Sequence, residues 1–361
     1  MTRLARLQNQ LKSANVDVLA LAPGDHMRWL MGFNPHGDER PLLLCVTQEA
    51  AGFLMPALEA ESAAQHTDLP FYQWADEDGP AAAFDALLEA LGASNASSIA
   101  LDETMRADHA ALVQDRLMNA RRQFTETTIG ALRMQKDEED YKHLKYNAQT
   151  ADKAMKIAWS QMRVGMREVD VAAIVRDAFK DQDVKPLFTL VCAGKNGAFP
   201  HHQTGETTLA AGDVVVMDIG GTIDANCSDI TRMAVMGAPS AEYEKVHAIV
   251  NAAVEAALAA AKPGVTAKTV DAAARQVISE AGYGAYFVHR TGHGLGTTIH
   301  EPPYITATSE TVLQEGMVFS IEPGIYIPGH FGLRLEEIVF LRADGPEVLS
   351  DLPRDTQIIP V

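Results

Sequence analysis

The 361-residue sequence has little cysteine and a shortage of basic side chains. Its three cysteines, Cys45, Cys192 and Cys227, form no CxxC pair, so neither a disulfide framework nor a cysteine zinc site is indicated. Lysine and arginine total 30 against 48 aspartates and glutamates, which gives a net charge of −18. Such a charge repels phosphate backbones and anionic lipids, so we expect no nucleic-acid partner and no membrane partner.

Long apolar runs are also missing. A membrane span requires roughly 18 apolar residues in succession, and the nearest candidate, AIVNAAVEAALAAA, is interrupted by Asn251 and Glu255. The N-terminal stretch contains basic residues, but Asn15 and Asp17 break its short apolar run, and it has no small-residue cleavage site. We therefore expect a mature amphipathic helix at the N-terminus and a soluble protein of the reducing cytoplasm.

Apolar residues make up 47% of the chain, and its length exceeds the usual span of one core, so two domains are expected. In the first part, the runs VDVLALA and PLLLCVT predict strands, and PAAAFDALLEALGA predicts a helix. This alternation is typical of a small α/β domain. A charged segment between Glu126 and Lys136 then opens a long helix. We assign residues 1–128 to an N-terminal α/β domain and residues 129–361 to a second domain.

The order of elements in the second domain occurs twice in coarse form. Each half has two predicted helices followed by two predicted strands, although the halves share no sequence identity. The pattern predicts an α+β fold with a duplicated ααββ plan. The helices are expected at residues 138–162, 167–180, 241–261 and 266–281, and the strands near Phe188, Val214, Phe287 and Val318.

Two aspartates flank adjacent apolar strands in GDVVVMDIGGTIDANCSDITRMAVMG. Asp218 is expected to end the first strand and Asp229 to begin the second, with a glycine-containing turn between them. A single aspartate here would more often cap a turn. Two carboxylates brought together by a hairpin are costly to bury without a cation, so they predict a bound metal or a raised pKa.

Glutamates also lie at or within predicted apolar strands. Glu322 ends an apolar strand before a Pro-Gly stop, and FGLRLEEIVFL predicts one further strand. Alternation in that strand puts Arg334 and Glu336 on one face and Glu337 on the other. Both faces are largely apolar, so parity alone leaves open which glutamate faces a site. Pairing with Arg334 would be a purely structural explanation of Glu336.

Two histidines lie in RTGHGLGTTIHEPP. Glycines on both sides of His293 would let its backbone approach a neighbouring strand. His293 would be a nitrogen ligand beside the four acids, a set suited to two divalent ions. His300 would remain available for proton transfer or for polarising a carbonyl. Taken alone, either histidine would more often be a hydrogen-bonded loop residue.

The motifs DIGGTIDANCSDITR, GHGLGTTIHEPP, SIEPGIY and LRLEE, in this order, resemble those of the M24 metallopeptidases of the pita-bread fold. That family includes Xaa-Pro dipeptidases (prolidases), Xaa-Pro aminopeptidases and methionine aminopeptidases. The resemblance runs from Lys136 to the C-terminus, and HMRWLMGFNP is similar to a motif in the N-terminal creatinase/prolidase-like domain of proline-specific members. It implies a homodimer and five metal ligands, Asp218, Asp229, His293, Glu322 and Glu336, with Asp229 and Glu336 bridging two ions.

The resemblance also implies roles beyond the ligands. It selects Glu336 over Glu337, and it makes Glu322 a proton shuttle as well as a ligand. His300 would act on the substrate. Arg334 would hold Glu336 or another acid in place. The stretch CAGKNGAFPHHQTG is similar to the family segment that ends in a substrate-side histidine. That similarity favours His201 as the catalytic residue and leaves His202 as its competitor.

The implied function is a dinuclear-metal peptidase that hydrolyses the Xaa-Pro bond of dipeptides or short peptides through a metal-bridging hydroxide. Dipeptidase and aminopeptidase activities both remain open. Mn²⁺, Co²⁺, Zn²⁺ and Fe²⁺ all tolerate this ligand set, and Mn²⁺ is favoured. The alternatives are a hydrolase or lyase of the same fold that acts on a small non-peptide molecule, such as creatinase-like enzymes, ectoine-derivative hydrolases or dimethylsulfoniopropionate lyases, and a non-enzymatic binding module.

Overall fold

The chain divides between Arg133 and Met134 in the computed structural model, which describes residues 1–361. Each part has its own hydrophobic cores. The assignment of residues 1–128 and 129–361 to separate domains stays a prediction, because compactness alone does not show that either part folds independently.

The first unit is a mixed six-stranded sheet with helices packed on it. Alternate residues of its first strand enter different cores: Leu19 packs on one face of the sheet and Val18 on the other, so both faces are buried. The elements are α1 (Arg3–Ala14), β1 (Val18–Leu21), α2 (Asp25–Met31), β2 (Leu43–Thr47), β3 (Ala51–Pro56), α3 (Ala57–Ala63), β4 (Phe71–Trp74), α4 (Ala81–Ala90), β5 (Ser98–Leu101), α5 (Ala107–Arg116), β6 (Arg121–Gln123) and α6 (Ile129–Met134). The strand order is β4-β3-β2-β1-β5-β6.

The second unit begins with a long helix, whose N-terminus is capped by the side chain of Asp137. Its helices are α7 (Glu138–Gln161), α8 (Glu168–Lys180), α9 (Ala241–Ala260) and α10 (Ala267–Glu280). Its strands are β7 (Lys185–Ala193), β8 (Val214–Ile223), β9 (Asn226–Cys227), β10 (Ile230–Met236), β11 (Gly292–Gly294), β12 (Glu301–Ile305), β13 (Val318–Ile321), β14 (Gly324–Ile327), β15 (Phe331–Arg334), β16 (Glu337–Arg342), β17 (Gly345–Val348) and β18 (Gln357–Ile359).

The duplicated plan is visible in the arrangement of these elements. Helices α7 and α8 precede strands β7, β8 and β10 of the sheet β18-β10-β8-β7, to which the C-terminal strand β18 is added, and helices α9 and α10 precede the sheet β12-β11-β13-β16-β17. One core joins α7 and α8 to the first sheet. A second core joins α9 and α10 to strands of both sheets. The strands that carry the candidate ligands are therefore held between two pairs of helices.

Three expectations about strands were wrong in detail. The strand that should end at Asp218 continues to Ile223, because β7 keeps pairing with β8 through the two glycines. No strand lies at Phe287, which follows a short 3-10 turn, and the next strand begins only at Gly292. The strand predicted over FGLRLEEIVFL is two strands: β15 pairs with β14 and β16 pairs with β13, so Glu336 lies in the break between them.

None of the ten α-helices combines the length and the hydrophobicity that a membrane crossing requires.

Candidate metal centre

The two aspartates are brought together by the antiparallel pair β8 and β10. Asp218 lies within β8 opposite Thr231, and Asp229 immediately precedes β10. Asp229 is 8% exposed, and Asp218 remains partly open to solvent. The hairpin therefore places both carboxylates on one side of the sheet, where the remaining acids also converge.

Backbone contacts hold His293 in place. A Cβ on Gly292 would lie 1.9 Å from the carbonyl oxygen of Ser320, so only glycine allows this close approach of β11 to β13. The His293 amide donates to Ser320 Oγ at 2.9 Å, and ring Nδ1 donates to the Gly294 carbonyl at 3.1 Å. In the neutral ring Nε2 then carries a lone pair, and it faces Glu322 Oε1 at 3.3 Å and Asp229 Oδ2 at 3.7 Å.

Glu336 is almost completely buried, and only one of its two carboxylate oxygens has a hydrogen-bond partner. Its Oε2 accepts a 2.8 Å hydrogen bond from Thr231 Oγ1, whereas its Oε1 has no hydrogen-bond partner. The buried Oδ1 of Asp218 has none either. Donor atoms of Asp229, His293 and Glu336 all lie within 4.8 Å of one another. We call Asp218, Asp229, His293, Glu322 and Glu336 the acid cluster.

The acid cluster carries more negative charge than the protein neutralises. Burial, with added repulsion from Glu336 and Asp218, raises the pKa of Asp229 well above its ordinary value. Burial and the charge of Glu322 do the same for the pKa of Glu336. The four carboxylates face the guanidinium of Arg334, so four negative charges against one positive charge give a formal charge of −3 when all four acids are ionised and the histidines are neutral. Unpartnered buried oxygens and an imidazole lone pair aimed at carboxylates fit divalent cations.

Arg334 contacts a different acid from the one that strand parity suggested. Its Nη2 donates to Asp218 Oδ2 at 2.5 Å, and its Nε donates to Thr231 Oγ1 at 3.0 Å. Because that hydroxyl donates in turn to Glu336, Arg334 reaches Glu336 only through Thr231. The direct Arg334–Glu336 pair, the structural explanation of Glu336, is therefore not formed.

Glu337 lies on the opposite side, outside the acid cluster. It accepts hydrogen bonds from Arg232 at 3.0 and 3.1 Å and from Arg354 at 3.2 Å. Arg232 is fully buried and also donates to the carbonyls of Leu352 and Pro353. Glu337 is thus neutralised by the protein itself.

The acid cluster forms the floor of a cavity of about 580 Å³, with His201 and His300 on its wall. The ring centroids of His300 and His293 are 4.1 Å apart, and the rings meet edge to face. Burial, followed by the neighbouring His293, lowers the pKa of His300 to about 4. The ring is therefore neutral at physiological pH in this environment and can donate or accept a hydrogen bond toward a bound molecule.

The structure separates the two adjacent histidines of the HHQ stretch. His201 lines the cavity, whereas Nε2 of His202 lies 3.4 Å from Glu168 Oε2. Glu168 is fully buried and also accepts hydrogen bonds from the amides of Ala193 at 2.8 Å and Gly205 at 3.0 Å. This carboxylate therefore holds both ends of the loop that carries His201 by hydrogen bonds.

Sequence reasoning missed His289 and Tyr326. His289 lines the cavity, donates from Nδ1 to the Arg290 carbonyl at 2.7 Å, and accepts from the Tyr326 hydroxyl at 2.8 Å through Nε2. The Tyr326 oxygen accepts from Arg334 Nη1 at 2.8 Å. These bonds connect the histidine to the arginine that holds Asp218. The one available signal was the position of His289, four residues before His293.

A second group of possible metal donors lies in the first unit. Donor atoms of His26, Asp102 and Glu103 lie within 4.8 Å of one another. However, Arg133 Nη1 donates to His26 Nδ1 at 2.9 Å, so in the neutral ring Nε2 carries the hydrogen and donates to Glu103 Oε1 at 3.1 Å. A guanidinium already supplies the positive charge here, and the imidazole offers no lone pair to a metal.

Comparison with known proteins gives matches over both units. The model of metallopeptidase family M24 matches residues 142–343, and that of the creatinase/prolidase N-terminal domain matches residues 3–135. The chain is 36% identical to "Probable dipeptidase PepE" of Mycobacterium tuberculosis, covering 99% of this chain and 96% of the relative. It is 33% identical to the Xaa-Pro dipeptidase of Pyrococcus furiosus, covering 98% and 99%. The crystal structure of dipeptidase PepE from Mycobacterium ulcerans superimposes with a TM-score of 0.95 at 35% identity, covering 99% and 97%.

Proposed function

The chain belongs to metallopeptidase family M24, and from this premise we propose that it hydrolyses the Xaa-Pro bond of dipeptides with two divalent metal ions in the acid cluster. The observation that carries the proposal is the charge of that cluster. With all four carboxylates ionised, the formal charge of −3 exceeds what one divalent cation neutralises, which favours two. The Xaa-Pro bond is the one named for the relative from Pyrococcus furiosus.

We propose that all five members of the acid cluster hold the metals, with Asp229 and Glu336 shared between the two ions. Donor atoms of Asp229 and Glu336 lie within 4.8 Å of each other and of His293, and Glu336 has one buried oxygen without a hydrogen-bond partner. When bound, the cations would polarise the scissile carbonyl and make hydroxide available at neutral pH. Mn²⁺ is the favoured ion, since carboxylate-rich sites suit it.

The chain's own side chains complete the chemistry. Of the two acids that face His293, Glu322 is more exposed than Asp229, and it accepts from Ser320 Oγ at 3.2 Å, so we propose that it takes a proton at the cavity floor and passes it to the leaving nitrogen. His300 and His201 line the wall and would donate hydrogen bonds to the developing oxyanion or contact the peptide nitrogen. Arg334 keeps Asp218 oriented.

A proline in the second position removes the amide N–H that most peptidases bind. Recognition must then rest on the shape of the cavity, whose wall includes Phe188, Leu190 and Ile299. These apolar side chains suit a pyrrolidine ring. We further propose that the protein works in the cytoplasm as a homodimer.

A hydrolysis screen tests this function. Purified protein is incubated with added Mn²⁺ and with Xaa-Pro dipeptides, the matched Xaa-Ala dipeptides, Xaa-Pro tripeptides and small amidino compounds. We expect turnover of Xaa-Pro dipeptides that a chelator abolishes and a divalent cation restores. Preferential turnover of tripeptides would make the enzyme an aminopeptidase, and turnover of amidino compounds alone would contradict the peptidase assignment.

A further inference from the structure

Lys136 and Glu301 form a buried ion pair outside the cavity. Lys136 Nζ lies 2.6 Å from Glu301 Oε1, and the two side chains are 5% and 6% exposed. Neither residue lines the cavity, but Glu301 directly follows His300 in the chain.

Stability alone does not explain an ion pair of this kind. Removing two charges from water is costly, and a well-packed apolar pair of similar volume is often equally stable or more stable. A buried pair can instead hold the backbone around it in one position. The backbone next to this pair is that of the segment between His293 and His300.

The loop before His300 packs against the Lys136–Glu301 pair. A Cβ on Gly296 would lie 2.7 Å from Glu301 Oε1 and 2.9 Å from Lys136 Cε, so the loop backbone packs directly on both side chains. Glu301 Oε2 also accepts from the amide of Thr298 at 3.4 Å. Lys136 is itself held, because its amide donates to the Gly316 carbonyl at 2.7 Å.

Strand pairing fixes the other end of the loop. Gly294, which follows His293, pairs with Glu301 across β11 and β12. The His300 ring then lies edge to face with the His293 ring, 4.1 Å between centroids. With Glu301 anchored on both its backbone and its carboxylate, His300 has a defined distance from the acid cluster.

We propose that Lys136 is a positioning residue for His300, acting through the carboxylate of Glu301. The inference rests on the proposed function only in assuming that His300 acts on the substrate. Without the Lys136 cation, the loop at 295–300 relaxes and His300 loses its alignment with the scissile bond, while the acid cluster keeps its ligands.

The first test compares Lys136→Met with the double variant Lys136→Met/Glu301→Gln, which leaves no unpaired buried charge. Both variants should bind metal like the wild type, and kcat should fall about 30-fold with a smaller change in KM, since misplacing a catalytic group by an ångström can cost about 10²-fold. Lys145→Met is the matched control: it removes a lysine that is paired with Asp351 elsewhere in the same unit, and it should leave kcat unchanged. Unchanged kcat in the double variant, or loss of the fold in both variants, overturns the proposal.

The second test asks whether the effect passes through His300. In a His300→Ala background, Lys136→Met should reduce kcat no further, whereas a general structural defect would multiply with the loss of His300. The ring resonance of His300, assigned with His300→Ala, should also shift in substrate-free Lys136→Met but not in Lys145→Met. This readout needs no turnover. Absence of Xaa-Pro hydrolysis in the wild type would therefore refute the proposed function alone, and an unmoved His300 resonance would refute the positioning role.

Discussion

Glu336 and Glu337 are neighbours in the chain and are both buried, yet they belong to opposite electrostatic environments. Glu337 faces Arg232 and Arg354, and both of its oxygens accept hydrogen bonds from guanidinium groups. Glu336 faces other carboxylates, and one of its oxygens has no partner. We call Arg232, Glu337 and Arg354 the arginine cluster.

The difference shows how a structural acid can be separated from a functional one. Both glutamates lose hydration when the chain folds, and burial raises the pKa of each. In the arginine cluster the protein supplies the compensating charge. In the acid cluster one guanidinium faces four carboxylates, so the remaining charge is balanced either by bound protons or by a cation. The partners of a buried carboxylate, more than its burial, therefore indicate its role.

The largest effect should come from Glu336→Gln. The change removes an anion that the two ions would share, so the second metal and activity should both be lost, with turnover falling about 10³-fold or more. Elemental analysis of the purified variant and its rate on an Xaa-Pro dipeptide measure both. A variant with full metal content and near-normal turnover would place Glu336 outside the centre.

His300→Ala should have the next largest effect, because His300 lies beside the acid cluster without belonging to it. Turnover should fall about 10²-fold while the metal content stays near that of the wild type. Loss of metal in this variant would mean that the ring is a ligand.

A similar distinction applies to the adjacent histidines 201 and 202. His201→Ala should lower kcat about 10-fold, because this ring lies in the cavity wall and can stabilise the transition state. His202→Ala should change kcat much less, since that ring contacts Glu168 outside the cavity. Steady-state kinetics of the two variants decide between them, and the reverse order would overturn the assignment.

The smallest effect on turnover should come from Glu337→Gln. This change should leave metal content and kcat unaltered but reduce the free energy of unfolding by about 2 kcal/mol, because Arg232 stays buried with a weaker partner. Urea unfolding of the metal-loaded protein measures it. Inactivity with unchanged stability would exchange the roles of the two glutamates.

Much of this arrangement could be predicted from the sequence. The motifs around Asp218, His293 and Glu322 carried the resemblance to M24 metallopeptidases, and the family matches confirm both that resemblance and the fold. Asp229 directly precedes β10 and Glu322 directly follows β13, and such positions can be predicted because strand ends are local features of the sequence.

Contacts between distant parts of the chain could not be predicted in this way. Lys136 and Glu301 are 165 residues apart, and neither has a local pattern that marks a buried pair. The break between β15 and β16 depends on two different partner strands, which a continuous apolar pattern does not reveal. His289 is linked to the acid cluster through Tyr326 and Arg334, which lie 37 and 45 residues further along the chain in the sheet of β14 and β15.

We propose that two divalent ions balance the charge of the acid cluster and that the reaction requires both. The sharpest test is a calorimetric titration of metal-free wild-type protein with Mn²⁺, with turnover followed on the same samples. We expect two equivalents bound per chain and no turnover before metal is added. Binding of one equivalent or none, or full turnover in verified metal-free protein, would contradict it.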